Sequence, residues 1–420
     1  QIDRQLFREK SHLMKNGRIL TIALFLALFS NASAKSYKVE ELLEIAEKNS
    51  ANIKSAEYLA KSQKHSANQE KYWSNPTIGY EDVGGQNTYR LSQTLPFFNK
   101  LKNRYEAGDA QYQAAEAFKN NLSIQVKADV FKLIYRFYGL KKKLELAKIR
   151  KDRLDLVDNY LSSISLRSPT QKAYSQITKD RIKLVERDSI KYQNEIYQTW
   201  NAANIYLGLT EQPQEVIINW LDENNYAGRK KIISAALSNN WSLKEQRMLI
   251  NKAKSELSFS EIEQMPDVNI SAISQRGSNS ASLNGGDSNG VGVSMAIPLI
   301  NRNQEKIIAA ESKIKAEQAE LEFRESQLLN LINNDLNQYE TSLKISQKLS
   351  PNEIDKIVKR LAVANSDFKK GVLDFIAYIE LDTQEYEMID TIIDNQIDLA
   401  QAYSSLITKV GSFEIDHKNN

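Results

Sequence analysis

The chain contains no cysteine in its 420 residues. That excludes disulfides, thiolate metal sites and a cysteine nucleophile, so an exported chain of this size would hold together by packing alone. It also leaves no N-terminal cysteine to carry a lipid, since Lys35 and Ser36 stand where that residue would be. Histidine is nearly as scarce: beyond the first 34 residues only His65 and His417 occur, far apart in sequence. Met248, Met265, Met295 and Met388 are scattered, so a soft-metal ligand set within one chain is not expected. Neither a phosphate-cradling GxxxxGK[ST] loop nor an HExxH helix is present. The expectation is a non-enzyme without a cofactor. An excess of one charge is missing as well: residues 1–34 carry five of the basic and two of the acidic residues, and the remainder balances. A neutral chain with interspersed signs has no electrostatic footprint for nucleic acid. Past residue 34 no apolar run reaches 18 residues, so any membrane entry there cannot be as an apolar helix.

The start of the chain reads as an export signal. Met14 is the first plausible initiator, and the thirteen residues before it read as an upstream extension. Lys15 and Arg18 precede the apolar stretch Ile19 to Phe29, and Ala32-Ser33-Ala34 fits the small-x-small cleavage rule. A membrane anchor is the alternative, but the stretch falls well short of the roughly 20 residues a spanning helix needs. Cleavage would leave a chain beginning near Lys35.

What remains is dominated by helix formers. Between Leu101 and about Ser163 there is no proline and glycine is limited to Gly108 and Gly139, which predicts one helix on the order of 60 residues and 90 Å. Residues 170–208 continue the style after Ser168-Pro169. A second long stretch runs from Gln304 to about Leu349, breaks at Ser350-Pro351, and resumes to about Val410 with a pause at Gly371. Helices this long belong to coiled coils. Their seams use small residues, Ala107, Ala110, Ala114 and Ala117 in the first half and Ala309, Ala316 and Ala319 in the second. Such seams let helices approach closely.

The chain also repeats itself. LSQTLPFFNK (Leu91 to Lys100) returns as VSMAIPLINR (Val293 to Arg302), with Ser92, Pro96 and Asn99 recurring as Ser294, Pro298 and Asn301. NSANI at Asn49 returns near Asn239, and Pro76 returns as Pro266. Two copies of one unit therefore fill the chain, and they differ mainly in a loop, GGQN in the first and Arg276 to Gly290 in the second. Around each loop apolar and polar residues alternate, as in Ile78 and Tyr80, then Leu91 and Leu95, then Val268 and Ile270, then Val291, Val293 and Met295. That period predicts two hairpins, about 76–96 and 267–298. Gln93 on an apolar face and Ile273 on a polar face break the pattern. If these strands enter a membrane their sheet must close. Membrane barrels begin at about eight strands, so four per chain require several chains.

NPTIGYE with LSQTLPFFNK, MPDVNIS with GVSMAIPLINRNQ, and the closing GVLDFIAYIELDTQEYE resemble the TolC-like outer-membrane efflux family, most of all its cobalt-zinc-cadmium resistance (CzcC-type) members. The resemblance spans essentially everything after residue 34. It implies a mainly α fold with a small membrane β part. Duplicated long-helix coiled-coil hairpins would form an α-barrel in the periplasm, and four strands per protomer would enter a trimeric 12-stranded β-barrel in the outer membrane. It implies a homotrimer, a periplasmic adaptor, an inner-membrane RND transporter and outer-membrane lipid as partners. The corresponding division is 1–34 extension and signal, 35–209 first repeat, 210–229 linker, 230–411 second repeat, and 412–420 tail. Pro96 and Pro298 would then end the strands, and Asn99 and Asn301 would cap the helices that follow. Ser168, Pro169 and Thr170 would meet Gly371 and Asp374 at the periplasmic tip, where the family pinches its pore. Asp374, Glu380 and Asp382 are candidates for rings of carboxylates favouring cations. Glu380 stands at the inner of the family's two acidic gate positions, while Ala377 stands at the outer. The implied function is a passive exit duct for heavy-metal cations. Drug efflux, type I secretion and a periplasmic coiled-coil scaffold are the rivals.

Overall fold

A computed structural model of the chain describes residues 36–163, 168–213, 215–221, 228–277 and 287–412. The expected signal segment and nearly all of the expected tail lie outside these residues.

The first repeat runs β1 (Ser36–Lys38), α1 (Val39–Asn49), α2 (Ala51–Gln69), β2 (Thr77–Val83), β3 (Gln86–Leu95), α3 (Lys100–Ser163) and α4 (Pro169–Leu207). After β4 (Glu215–Ile217), which pairs with β1 in parallel, the second repeat follows: α5 (Arg229–Asn239), α6 (Trp241–Glu263), β5 (Val268–Arg276), β6 (Ser288–Met295), α7 (Gln304–Lys348), α8 (Glu353–Lys369) and α9 (Phe375–Val410). The repeat shows in its caps. Gly208 and Gly411, both left-handed, close α4 and α9, and asparagines bind the last carbonyls of each: Asn49 Nδ2 to Leu207 O at 2.7 Å, Asn240 Nδ2 to Lys409 O at 2.8 Å. Asn49 in one unit and Asn240, one position further along, in the other thus tie each returning helix to the junction of its unit's first two helices.

Four strands form one antiparallel sheet in the order β2-β3-β5-β6. Each strand continues into a helix, so α2, α3, α6 and α7 hang from it in the same lateral order. Within the chain α3 packs against both α2 and α6, while the upper part of α7 packs on α6. This asymmetry explains the alanine seams. Ala110, Ala114 and Ala117 are buried in α3, and Gly108 lies so close to α2 that a Cβ there would sit 2.9 Å from Ala67 Cα. Ala309, Ala316 and Ala319, on α7, are exposed, with Ile308 and Phe323 beside them. Both the sheet and the helical layer thus end in open edges, β2 with α2 on one side and β6 with α7 on the other.

Lower down, α3 switches from alanine to Phe131, Ile134, Phe137 and Leu140, which join α1, α4, α5, α7 and α9 in the largest buried cluster. The Ser350-Pro351 break separates α7 from α8 at this level, beside the segment 218–221, and has no counterpart in α3, which runs on unbroken for 64 residues. A separate apolar cluster fills the far end.

Candidate functional site

Three parts hold the candidate residues, namely the sheet, its junction with the helices, and the far tip. The sheet's register sorts its residues into rows of opposite character. Ile78, Leu91, Ala272 and Val291 lie side by side across all four strands, and Leu95, Val268 and Met295 form another row on the same face. The alternate rows read Thr77, Ser92, Ser271, Gly292 and Thr94, Asn269, Ser294. The apolar face is open to its surroundings: Ile78 is 85 %, Val291 80 % and Val293 71 % exposed. An uncovered apolar sheet face with a small, polar reverse face suits lipid on one side and water on the other. Gln93, opposite Ile270 in an apolar row, lies below the start of β2, where its amide donates to Ser74 O at 2.9 Å. Its polarity is met at the sheet's margin.

At the junction Pro96 and Pro298 follow the last paired residues, Leu95 and Met295. Asn99 takes a left-handed backbone (φ 66°) and its carbonyl receives Asn103 N, the first bond of α3. Asparagine tolerates that conformation better than most residues. Asn301 does not repeat this. The left-handed residue before α7 is Asn303 (φ 57°), and Asn301 Oδ1 accepts from Asn303 N at 3.0 Å instead of from a helix amide. The second junction is thus two residues longer than the repeated decapeptide implies, and the expected capping role of Asn301 becomes that of a turn residue. Lys100 and Asp267 fasten one repeat to the other: Lys100, 5 % exposed, donates to Asp267 Oδ1 at 2.7 Å and Met265 O at 2.6 Å, and Phe97 N reaches the same carboxylate at 2.9 Å. Partial burial works to raise the Asp267 pKa, but the Lys100 and Phe97 hydrogen bonds outweigh it and hold the carboxyl below its ordinary value.

At the tip, the start of α4 and the start of α9 lie together, with Tyr174 stacked on Phe375 at 4.3 Å and Tyr160 meeting Phe368 at 5.6 Å. Ser168, Pro169 and Thr170 form the first turn of α4. Ser168 Oγ accepts from Gln171 N at 3.2 Å, and Gln171 Oε1 reaches back to Ser168 N at 3.3 Å. Gly371 (φ 75°) ends α8, and Val372 N bonds Asp367 O at 2.9 Å in the pattern of a glycine-terminated helix. Asp374 is the N-cap of α9, accepting from Ile376 N at 2.9 Å and Ala377 N at 3.1 Å. Glu380 is exposed, with Gln384 Nε2 at 2.8 Å.

Asp382 is different from what its helix position suggests. It is fully buried, and its two oxygens meet Arg150 at 2.7 Å and Arg153 at 2.9 Å, both from α3. A carboxylate enclosed this way cannot present itself to passing ions, which corrects the expectation of an Asp382 ring. Its neighbours extend the link: Arg181 of α4 donates to Thr383, and Arg360 of α8 grips Glu385 through two bonds of 2.8 Å. Over four residues α9 is therefore bound to α3, α4 and α8. The Tyr386 ring lies 4.5 Å from the Arg150 guanidinium. Burial and the nearby Asp382 charge push the Tyr378 hydroxyl up to about 12. Arg150, Arg153 and Arg181 were not singled out in the sequence, and no local motif marks them. Among the described residues no cluster of histidine, aspartate and glutamate could hold a metal ion, and no helix is long and apolar enough to cross a membrane.

Residues 232–412, nearly the whole second repeat, match the family model described as outer membrane efflux protein. No protein of curated function matches the chain. Its fold is that of outer-membrane channels. It is similar to OprN (TM-score 0.70, 13 % identity, 89 % of this chain and 90 % of that one) and to the open state of MtrE from Neisseria gonorrhoeae (TM-score 0.68, 14 % identity, 89 % of each chain). It is also similar to CusC, studied for the conformational changes accompanying folding and transmembrane channel formation (TM-score 0.66, 17 % identity, 89 % and 92 %).

Proposed function

We propose that the protein is the outer-membrane exit duct of a tripartite efflux pump, a homotrimer that passively conducts heavy-metal cations outward. The observation that carries this reading is the four-stranded sheet with an exposed apolar face and two open edges, continued by helices whose layer is open at the same two sides. Three copies joined edge to edge would close twelve strands into a barrel and the helices into a tube beneath it. The family match of the second repeat and the fold shared with outer-membrane channels support the same reading. The junction residues Pro96, Asn99, Pro298 and Asn301 would then stand at the membrane's inner surface. The far tip would project into the periplasm toward an adaptor protein and an RND-type transporter, which supply the energy. No step of chemistry is required of the duct.

Metal cargo rests on the resemblance of the strand and tip motifs to CzcC-type components. Growth of a deletion strain against copper, silver, zinc, cobalt, cadmium and several organic toxicants, with complementation, tests it. Selective metal sensitivity is expected, and sensitivity to organic compounds alone would assign the duct to drug efflux. Extraction of the protein from the membrane fraction without detergent would instead identify a coiled-coil scaffold.

At the tip the gate is proposed to lie where Ser168, Pro169 and Thr170 approach Gly371 and Asp374, with Glu380 as the exposed carboxylate repeated by symmetry. Three such carboxylates around a narrow opening would hold multivalent cations. Glu380→Ala should weaken block by multivalent cations in planar-bilayer recordings several-fold. Block of unchanged strength would remove Glu380 from the pore.

A further inference from the structure

A cleft of about 560 Å³ opens between the segment after β4 and the α7–α8 break. One wall is Ile218, Asn219, Trp220 and Leu221, and the other is Leu343, Ser346, Gln347, Ser350, Pro351 and Asn352. Among the described residues no charged side chain lines it. In a chain where about a quarter of the residues are charged, a surface cleft of this size without one is selective in its chemistry. Its described lining offers amides and hydroxyls and no charge, and these make it too polar to be a docking groove for an apolar helix.

We infer that this cleft binds an uncharged glycan, a chain of N-acetylated amino sugars, by stacking a sugar ring on Trp220 and bonding its hydroxyl and acetamido groups to Ser346, Ser350 and Asn352. The tryptophan is held for the task. Its ring meets Tyr138 edge-on at 5.0 Å and 69°, while Tyr135 Oη donates to Asn219 O at 2.8 Å and fixes the preceding peptide to α3. A rigid aromatic with amides around it binds polar rings at little entropic cost. On the opposite wall Gln396 Nε2 donates to Ser346 Oγ at 2.7 Å, so that this hydroxyl's own proton remains to be donated, and Gln396 Oε1 stays buried without a partner. Asn352 is exposed at the start of α8, its side chain making no capping bond. The Ser350-Pro351 break, absent from the first repeat, is what opens the wall.

That such a polymer is within reach rests on the proposed function, since an exit duct passes through the compartment that contains the cell-wall glycan. Anchoring to it would hold the duct upright beneath the sheet. Binding of chitotetraose to the purified, detergent-solubilised full-length protein, read by intrinsic tryptophan fluorescence and calorimetry, tests the inference. Saturable binding is expected, weakened at least tenfold by Asn352→Asp, which places a carboxylate in the cleft without touching the core, and by Trp220→Leu. An absence of saturable binding, or binding by either variant as tight as that of the wild type, overturns it. Channel conductance of the same preparations keeps the two readings apart: an Asn352→Asp protein that conducts normally but no longer binds sugar supports both. A wild-type protein that binds chitotetraose but fails to insert in any bilayer rejects the duct and leaves the sugar site standing.

Discussion

Replacing Asp382 with asparagine should loosen the tip more than any other single polar change. The substitution keeps the shape and removes the charge that two guanidinium groups share. Arg153 is 7 % exposed, so its charge would be left with almost no water to compensate it. Breaking one member of a buried ion pair typically costs about 3–5 kcal/mol, because the remaining charge stays buried. The tip's apolar contacts, centred on Phe368, Phe375 and Tyr378, would have to offset that loss alone. We expect a lower melting temperature in detergent and, because α9 is released from α3, larger conductance in bilayers. The triple change Asp382→Leu, Arg150→Met, Arg153→Met separates charge from packing: it should recover most of the lost stability, since well-packed apolar groups often replace a buried ion cluster without penalty. Wild-type melting of Asp382→Asn would show that the carboxylate carries little at this position.

Asp382 also marks where reading the sequence stopped. Its arginine partners lie 232 and 229 residues away, on a helix that belongs to the other repeat. Nothing in DFIAYIELDTQEYE distinguishes Asp382 from Glu380, although one is enclosed and the other exposed. Burial of an acid is a tertiary property and leaves no local trace when its partner is remote. The strands, by contrast, were legible because a half-buried sheet imposes a two-residue period that the chain must write out locally. The long helices and the glycine and proline breaks were legible for the same reason. Ser168-Pro169 was legible as a break between helices, and the structure adds the capping box with Gln171 that starts α4 there. The junctions were legible in part. Proline marks the strand ends, but the second helix begins after Asn303, and a repeat aligned on identical letters cannot show that two residues have slipped.

Arginine on the apolar face of the sheet should prevent assembly, while arginine one residue away should not. Val293 lies two residues before the end of β6 on the face that would meet lipid, and Ser294 shares a row with Asn269 and Thr94 on the reverse face. A lipid-facing arginine costs about 2–4 kcal/mol at the midplane of a bilayer and less toward its interfaces, so the cost at Val293 falls below the midplane figure. In a trimer that cost would be met three times, against a barrel whose edges close only when all three copies are present. Val293→Arg is therefore expected to abolish the oligomer that resists detergent without heating and to empty the outer-membrane fraction. Ser294→Arg would place three cations on the lumen face, which also carries Arg90 four residues further along. It should assemble normally and conduct cations less well. The contrast between adjacent residues is the informative quantity, because any account in which the hairpins stay in water makes the two substitutions nearly equivalent: both sites are exposed in the isolated chain. Equal assembly of the two variants would take the sheet out of the membrane and the duct with it.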